Sequence, residues 1–159
     1  MNRIDAKFQE LKLNNRKALI TFITSGDGGF DTTEKAVFAM QNAGADIIEL
    51  GIPFSDPIAE GPVIQAASER ALANGTTLVG IFNMVKKIRQ KTDIPLVMMM
   101  YLNTIYRFGT ERFFSMCDEY GIDGVIVPDM PFEEADEIKD TAEKYGKYSI
   151  SLVTPTSHE

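Results

Sequence analysis

Basic side chains are in short supply in this sequence. Its 16 Lys and Arg face 23 Asp and Glu, for a formal charge of −7 at neutral pH and a pI near 4.8. Nucleic-acid binding depends mainly on basic groups that neutralise phosphates, so that class of function is excluded. Cysteine is represented by Cys117 alone, which rules out an internal disulfide. Long apolar runs are missing too, and none approaches the roughly 18 residues of a membrane span. The opening MNRIDAKFQELK is polar and charged with no apolar stretch behind it, which predicts no secretory signal. The glycines at 26–29 are not followed by the Gly-Lys-Ser/Thr of a phosphate loop. A cytoplasmic enzyme or binding domain is the class that remains.

What is present is enough apolar material for a core, 44% hydrophobic against 25% charged over 159 residues, the size of one domain. Ile4, Phe8 and Leu11 recur at helical spacing. The stretch 17–25 is short and rich in β-branched and aromatic residues, so it predicts a buried strand that ends at Gly26–Gly29. A helix over 31–43 stops at Gly44. A strand over 45–51 and a Pro- and Gly-punctuated loop come next, then a helix that starts at Pro62 and ends at Asn74-Gly75. Leu78, Ile81, Phe82, Val85 and Ile88 mark a further helix, and 95–103 reads as a third strand. Phe113, Cys117 and Tyr120 lie on one face of a helix, 123–129 reads as a fourth strand, Ala135, Ile138, Ala142 and Tyr145 form another helical stripe, and 149–155 reads as a fifth strand. The junctions Gly44-Ala45-Asp46 and Gly121-Ile122-Asp123 share a helix-stopping glycine and an aspartate ahead of an apolar strand.

Strands alternating with helices imply a parallel sheet covered by helices. Periodicity alone leaves a doubly wound sheet and a β/α barrel equally open. In either, the working residues lie at the C-terminal ends of strands. Glu49 is such a residue, a carboxylate in an apolar strand whose alternation puts Ile47, Glu49 and Gly51 on one face and Ile48 and Leu50 on the other. If the second pair meets the helices, Glu49 faces a barrel mouth, where desolvation raises its pKa and suits it to give and take a proton. A carboxylate paired structurally at the rim fits the same position.

The stretch after Glu49, LGIPFSDPIAEGP, narrows the choice. It resembles the signature of tryptophan synthase α subunits, close to LGIPFSDPxADGP, and matches at Leu50 to Pro57, Ala59, Gly61 and Pro62. FITSGD (22–27), the pair Tyr101 and Asn103, and the pair Asp129 and Pro131 continue the likeness in order along the chain. The resemblance implies an α/β fold of the parallel (β/α)8 TIM-barrel type, incomplete here, with an N-terminal helix and five strands in one partial domain over 1–159. A full barrel has eight strands and about 250 residues, and its phosphate site is commonly built after strands seven and eight.

It also implies a lyase of tryptophan biosynthesis that cleaves indole-3-glycerol phosphate to indole and glyceraldehyde 3-phosphate, without metal or cofactor of its own. Glu49 would be the acid, then the base. Glu60, where the family has aspartate, would hold the indole N–H with one methylene more of reach. Phe22, Met99, Tyr101, Ile126 and Leu152 would line the indole slot. Asp56 and Asn103 would face a pyridoxal-phosphate-dependent β subunit in an αββα complex. A non-catalytic fragment that only contacts a β subunit is the alternative. Cys117 is expected to be a buried small hydrophobe. The acidic run Glu133, Glu134, Asp136 and Glu137 is expected to be a solvated helix face, and His158 suggests no partner.

Overall fold

The sheet explains why nearly continuous apolar strands alternate with helices. In the computed structural model, which describes every residue except 59, 132, 133, 154 and 156–159, all five strands are parallel and adjacent in chain order. Element order is α1 (Arg3–Leu13), β1 (Ile20–Thr24), α2 (Phe30–Asn42), β2 (Ile47–Gly51), α3 (Pro62–Ala73), α4 (Leu78–Arg89), β3 (Leu96–Met99), α5 (Leu102–Phe108), α6 (Thr110–Tyr120), β4 (Gly124–Ile126), α7 (Asp136–Lys144) and β5 (Tyr148–Ile150). A doubly wound sheet would reverse its strand order at a switch point. The unbroken order β1 to β5 is that of consecutive βα units of a β/α barrel. Ala59, Glu133, Thr154 and His158 lie outside the described residues.

Side-chain alternation divides the sheet into two surfaces. Ile48, Leu50, Leu96, Met98 and Val125 point outward and are fully buried beneath the helices. Each contributes about 1.5–3 kcal/mol of transfer free energy on burial. The helices answer with Ile81, Phe82, Val85 and Ile88 from α4 and Phe113, Phe114 and Cys117 from α6, all fully buried. Phe82 sits among Phe108, Phe113 and Tyr120, with ring centroids 6.3, 5.9 and 5.4 Å away, which fastens α4 to α6. The opposite surface carries a smaller apolar group of Ile4, Ile47, Val97 and Ile126.

The two glycine–aspartate junctions turn out to be one device used twice. Gly44 and Gly121 take φ of 104° and 84°, a region that favours glycine, and so end α2 and α6. The next aspartates then clamp the neighbouring strand. The Asp46 N–H donates to the Leu19 carbonyl (2.8 Å), and its carboxylate accepts the Leu19 N–H (2.9 Å). Asp123 repeats both bonds with Leu96, each at 2.9 Å. Its carboxylate is also paired with Arg89 (2.8 Å) and Arg3 (3.0 Å), which ties α1 and α4 to the N-terminal end of the sheet. Burial pulls the Arg89 guanidinium down to about 10.

Several expected elements are corrected. The strand expected over 95–103 stops at Met99, and Leu102–Phe108 is a helix. The Asp129 carboxylate accepts the Leu102 N–H at 2.9 Å, satisfying a donor of the first helical turn and drawing the chain out of the sheet. The fifth strand ends at Ile150 rather than continuing to 155. The first strand is not buried, since Ile20 is 46% exposed at an edge where no described strand pairs with it. On α1, Ile4 and Leu11 are buried but Phe8 is 48% exposed, beside the open inner surface of the sheet. Cys117 is buried as expected, and burial pushes its thiol pKa up.

Candidate active site

Strand register sets the floor of the site. Phe22 of β1 lies beside Glu49 of β2, which lies beside Val97 of β3, and one step nearer the C-terminal end Thr24, Gly51, Met99, Ile126 and Ile150 form the next row. Gly51 is there for close approach, because a Cβ at that position would lie 2.4 Å from Cζ of Phe22. The Phe22 ring therefore lies across the glycine, and the row has no bulk between Thr24 and Met99.

Above this floor is a cavity of about 390 Å³, lined by Phe22, Glu49, Glu60, Met99 and Tyr101 among others. That volume falls in the range of small-molecule sites. Both expected catalytic carboxylates and three of the five expected slot residues thus meet at one cavity. Ile126 does not line it. It belongs to a second cavity of about 360 Å³ on the inner surface, which Glu49 also borders. Leu152 lines neither of the two and is 55% exposed beyond the end of β5.

Glu49 is half-buried between two mostly apolar surfaces, and burial raises its pKa above the ordinary 4.5. Among the described residues no charge and no hydrogen-bond donor contributes to that shift. The folded chain therefore holds this proton more tightly than the unfolded chain does. The advantage to folding is full below the unfolded pKa, and is lost as pH rises through that value and then the raised folded one. Glu49→Gln keeps the shape without the charge, so it should raise the denaturation midpoint at pH 7 and leave it nearly unchanged at pH 4. Urea titrations of both chains at the two pH values check this. An equal shift at both would mean that the charge is not the cause.

Glu60 reaches the same cavity from the β2–α3 loop. Tyr101, 4% exposed two residues past the end of β3, donates its phenol O–H to Oε2 of Glu60. The phenol oxygen accepts the Ile58 N–H at 3.0 Å, and the Tyr101 ring lies 4.9 Å from that of Phe54. Gln65 Nε2 donates to the Glu60 carbonyl at 2.8 Å. Asp56 is exposed, and its carboxylate accepts from the Ser55 hydroxyl at 2.5 Å. Asn103 is exposed on the first turn of α5.

The cavity also takes lining from Ile64 and Ser68 of α3 and from Pro128, which sequence reasoning did not single out. Ser68 left a faint signal, as a polar residue among the alanines of the buried face of α3. Among the described residues, no group of three His, Cys, Asp or Glu side chains is placed to hold a metal ion. No described helix is long and apolar enough to cross a membrane.

The family profile described as "Tryptophan synthase alpha chain" matches residues 8–159. The chain belongs to the tryptophan synthase alpha chain family. A tryptophan synthase alpha chain from Caldanaerobacter subterraneus subsp. tengcongensis is 54% identical over 159 residues, all of this chain and 61% of the relative. The solved structure of tryptophan synthase subunit alpha from Legionella pneumophila superposes with a TM-score of 0.97 at 45% identity, over 99% of this chain and 61% of that one. A structure of the tryptophan synthase a2b2 complex from Pyrococcus furiosus matches with a TM-score of 0.83 at 40% identity, over 87% of this chain and 56% of that one. The chain thus spans about three-fifths of the length of these tryptophan synthase alpha relatives.

Proposed function

We propose that this chain carries the proton-transfer half of a carbon–carbon lyase that cleaves indole-3-glycerol phosphate to indole and glyceraldehyde 3-phosphate in tryptophan biosynthesis, in the cytoplasm. The supporting observation is the meeting of Glu49 and Glu60 at one cavity walled by Phe22, Met99 and Tyr101. The cavity, about 390 Å³, has the volume for a flat bicyclic ring and offers it aromatic and thioether surfaces from Phe22, Tyr101 and Met99.

The chemistry needs two carboxylates with different duties. Glu49, with its raised pKa, delivers a proton to the ring carbon that bears the side chain. Positive charge then appears at the indole nitrogen, and the Glu60 carboxylate accepts the N–H and stabilises that charge. Glu49, now ionised, takes the proton from the adjacent side-chain hydroxyl as the carbon–carbon bond breaks. The bond pair returns to the ring, the hydroxyl carbon becomes an aldehyde, and no net proton is gained or lost.

The expected partner is a tryptophan synthase β subunit, the place of the pyridoxal phosphate. The Pyrococcus furiosus relative is described as part of an a2b2 complex with mutual activation. Here Asp56 and Asn103 are exposed, and Ile58 of the same loop as Asp56 is 81% exposed. That exposed isoleucine also favours a second reading, a partner-binding role without catalysis. Indole release by the complete polypeptide, measured beside stimulation of a β subunit's own reaction, separates them. Release supports the lyase, and stimulation without release supports the second reading.

The 159-residue chain by itself should release no indole. The phosphate donors common to such barrels come from later loops, and each bond to a charged group is worth about 1.5–3 kcal/mol. Its β1 and β5 edges and its apolar inner surface should drive self-association. Light scattering that found a stable monomer, with indole release from it, would reverse this expectation.

A further inference from the structure

We propose that Tyr101 is a positioning residue for Glu60, setting both the loop backbone and the carboxylate through one phenol oxygen. The inference rests on the lyase reading above and adds to it a specific holder for the second carboxylate.

The described residues of the β2–α3 loop form no helix or strand, and a glutamate within it has many rotamers to choose from. Among the described residues, Tyr101 meets that loop at Phe54, Ile58 and Glu60. Its ring packs against Phe54, its oxygen accepts the Ile58 N–H, and its O–H donates to Glu60. Pro57 leaves the amide of Ile58 as the donor just past the turn, so this bond fixes the chain two residues ahead of Glu60.

Tyr101 is itself firmly placed. It lies two residues past the end of β3 and is the N-cap residue of α5, whose first amide is held by Asp129 from the β4 side. Position therefore passes from β4 through α5 to the phenol and on to the carboxylate. Without the phenol oxygen, the Glu60 side chain loses the bond that chooses its orientation.

The test uses the complete polypeptide in four forms: the parent, Tyr101→Phe, Glu60→Ala and the double variant. The readouts are kcat and KM for indole-3-glycerol phosphate, and hydrogen exchange at the Ile58 amide. Tyr101→Phe keeps the ring, so KM should hold within about threefold while kcat falls about 10- to 100-fold, the scale of a misplaced catalytic group. In the Glu60→Ala background the same change should alter kcat by less than about twofold, because no carboxylate remains to be oriented. The Ile58 amide should exchange faster in Tyr101→Phe and at the parental rate in Glu60→Ala.

Unchanged kcat in Tyr101→Phe, or an equal loss in both backgrounds, would overturn the positioning role while leaving the lyase reading intact. A parent with no indole release would defeat the lyase reading instead. The Ile58 amide then decides on the tyrosine strap alone, with faster exchange in Tyr101→Phe supporting it and parental exchange refuting it.

Discussion

In the complete polypeptide, Glu49→Gln is expected to cut indole release by at least about a thousandfold while substrate affinity stays near that of the parent. The amide matches the carboxylate in shape, so Phe22 on one side and Val97 on the other keep their places in the row. What is lost is a group able to donate and then accept a proton within one cycle. Burial has already moved the Glu49 pKa upward, so that the acid is available nearer neutral pH. Affinity is expected from the ring contacts of Phe22, Met99 and Tyr101 and from the phosphate donors of later loops, and the substitution leaves these alone. Comparable turnover in parent and variant would remove Glu49 from the chemistry. A large rise in KM with kcat unchanged would recast it as a binding residue.

The next largest effect is expected at position 60. Glu60→Ala should lower kcat by about a hundred- to a thousandfold, the usual cost of deleting one group that stabilises developing charge. Glu60→Asp should keep the rate or raise it. Aspartate is the usual residue of the family signature, and Glu60 lies in the loop between β2, which ends at Gly51, and α3, which starts at Pro62. Steady-state kinetics of the three proteins suffice. Equal rates throughout would mean that the side chain only decorates the loop, and a collapse in Glu60→Asp would mean that reach, not charge, is what the site selects.

Glu49 could be read from the sequence because strand parity is robust. Once Ile48 and Leu50 are assigned to the helices, Glu49 has one direction left, and both are fully buried there. Glu60 could be read only through the motif, since a residue in an irregular loop has no periodicity to orient it. The slot residues divided along the same line. Phe22 and Met99 follow their strands into the cavity and Tyr101 reaches it from just past β3, whereas Leu152 lies two residues beyond the end of β5 and lines neither cavity.

Edges are equally invisible to pattern. β1 reads as a buried strand because its residues are apolar, yet burial depends on a neighbour that the described chain does not supply. The run Met98-Met99-Met100-Tyr101-Leu102 reads as continuous strand. What breaks it is a tertiary contact, the Asp129 carboxylate on the Leu102 amide. The aspartates at 46 and 123 repeat in the sequence, but their clamping of Leu19 and Leu96 needs the sheet to be assembled.

The claim that matters most is that the cavity between Glu49 and Glu60 takes the indole ring. The direct measurement is a crystal structure of the complete polypeptide carrying Glu49→Gln, soaked with indole-3-glycerol phosphate, because the variant should bind without consuming it. The ring is expected between Phe22 and Tyr101, with its N–H on the Glu60 carboxylate and the side-chain carbon toward position 49. A ring bound elsewhere, or in this cavity with its nitrogen turned away from Glu60, would contradict the assignment of both carboxylates.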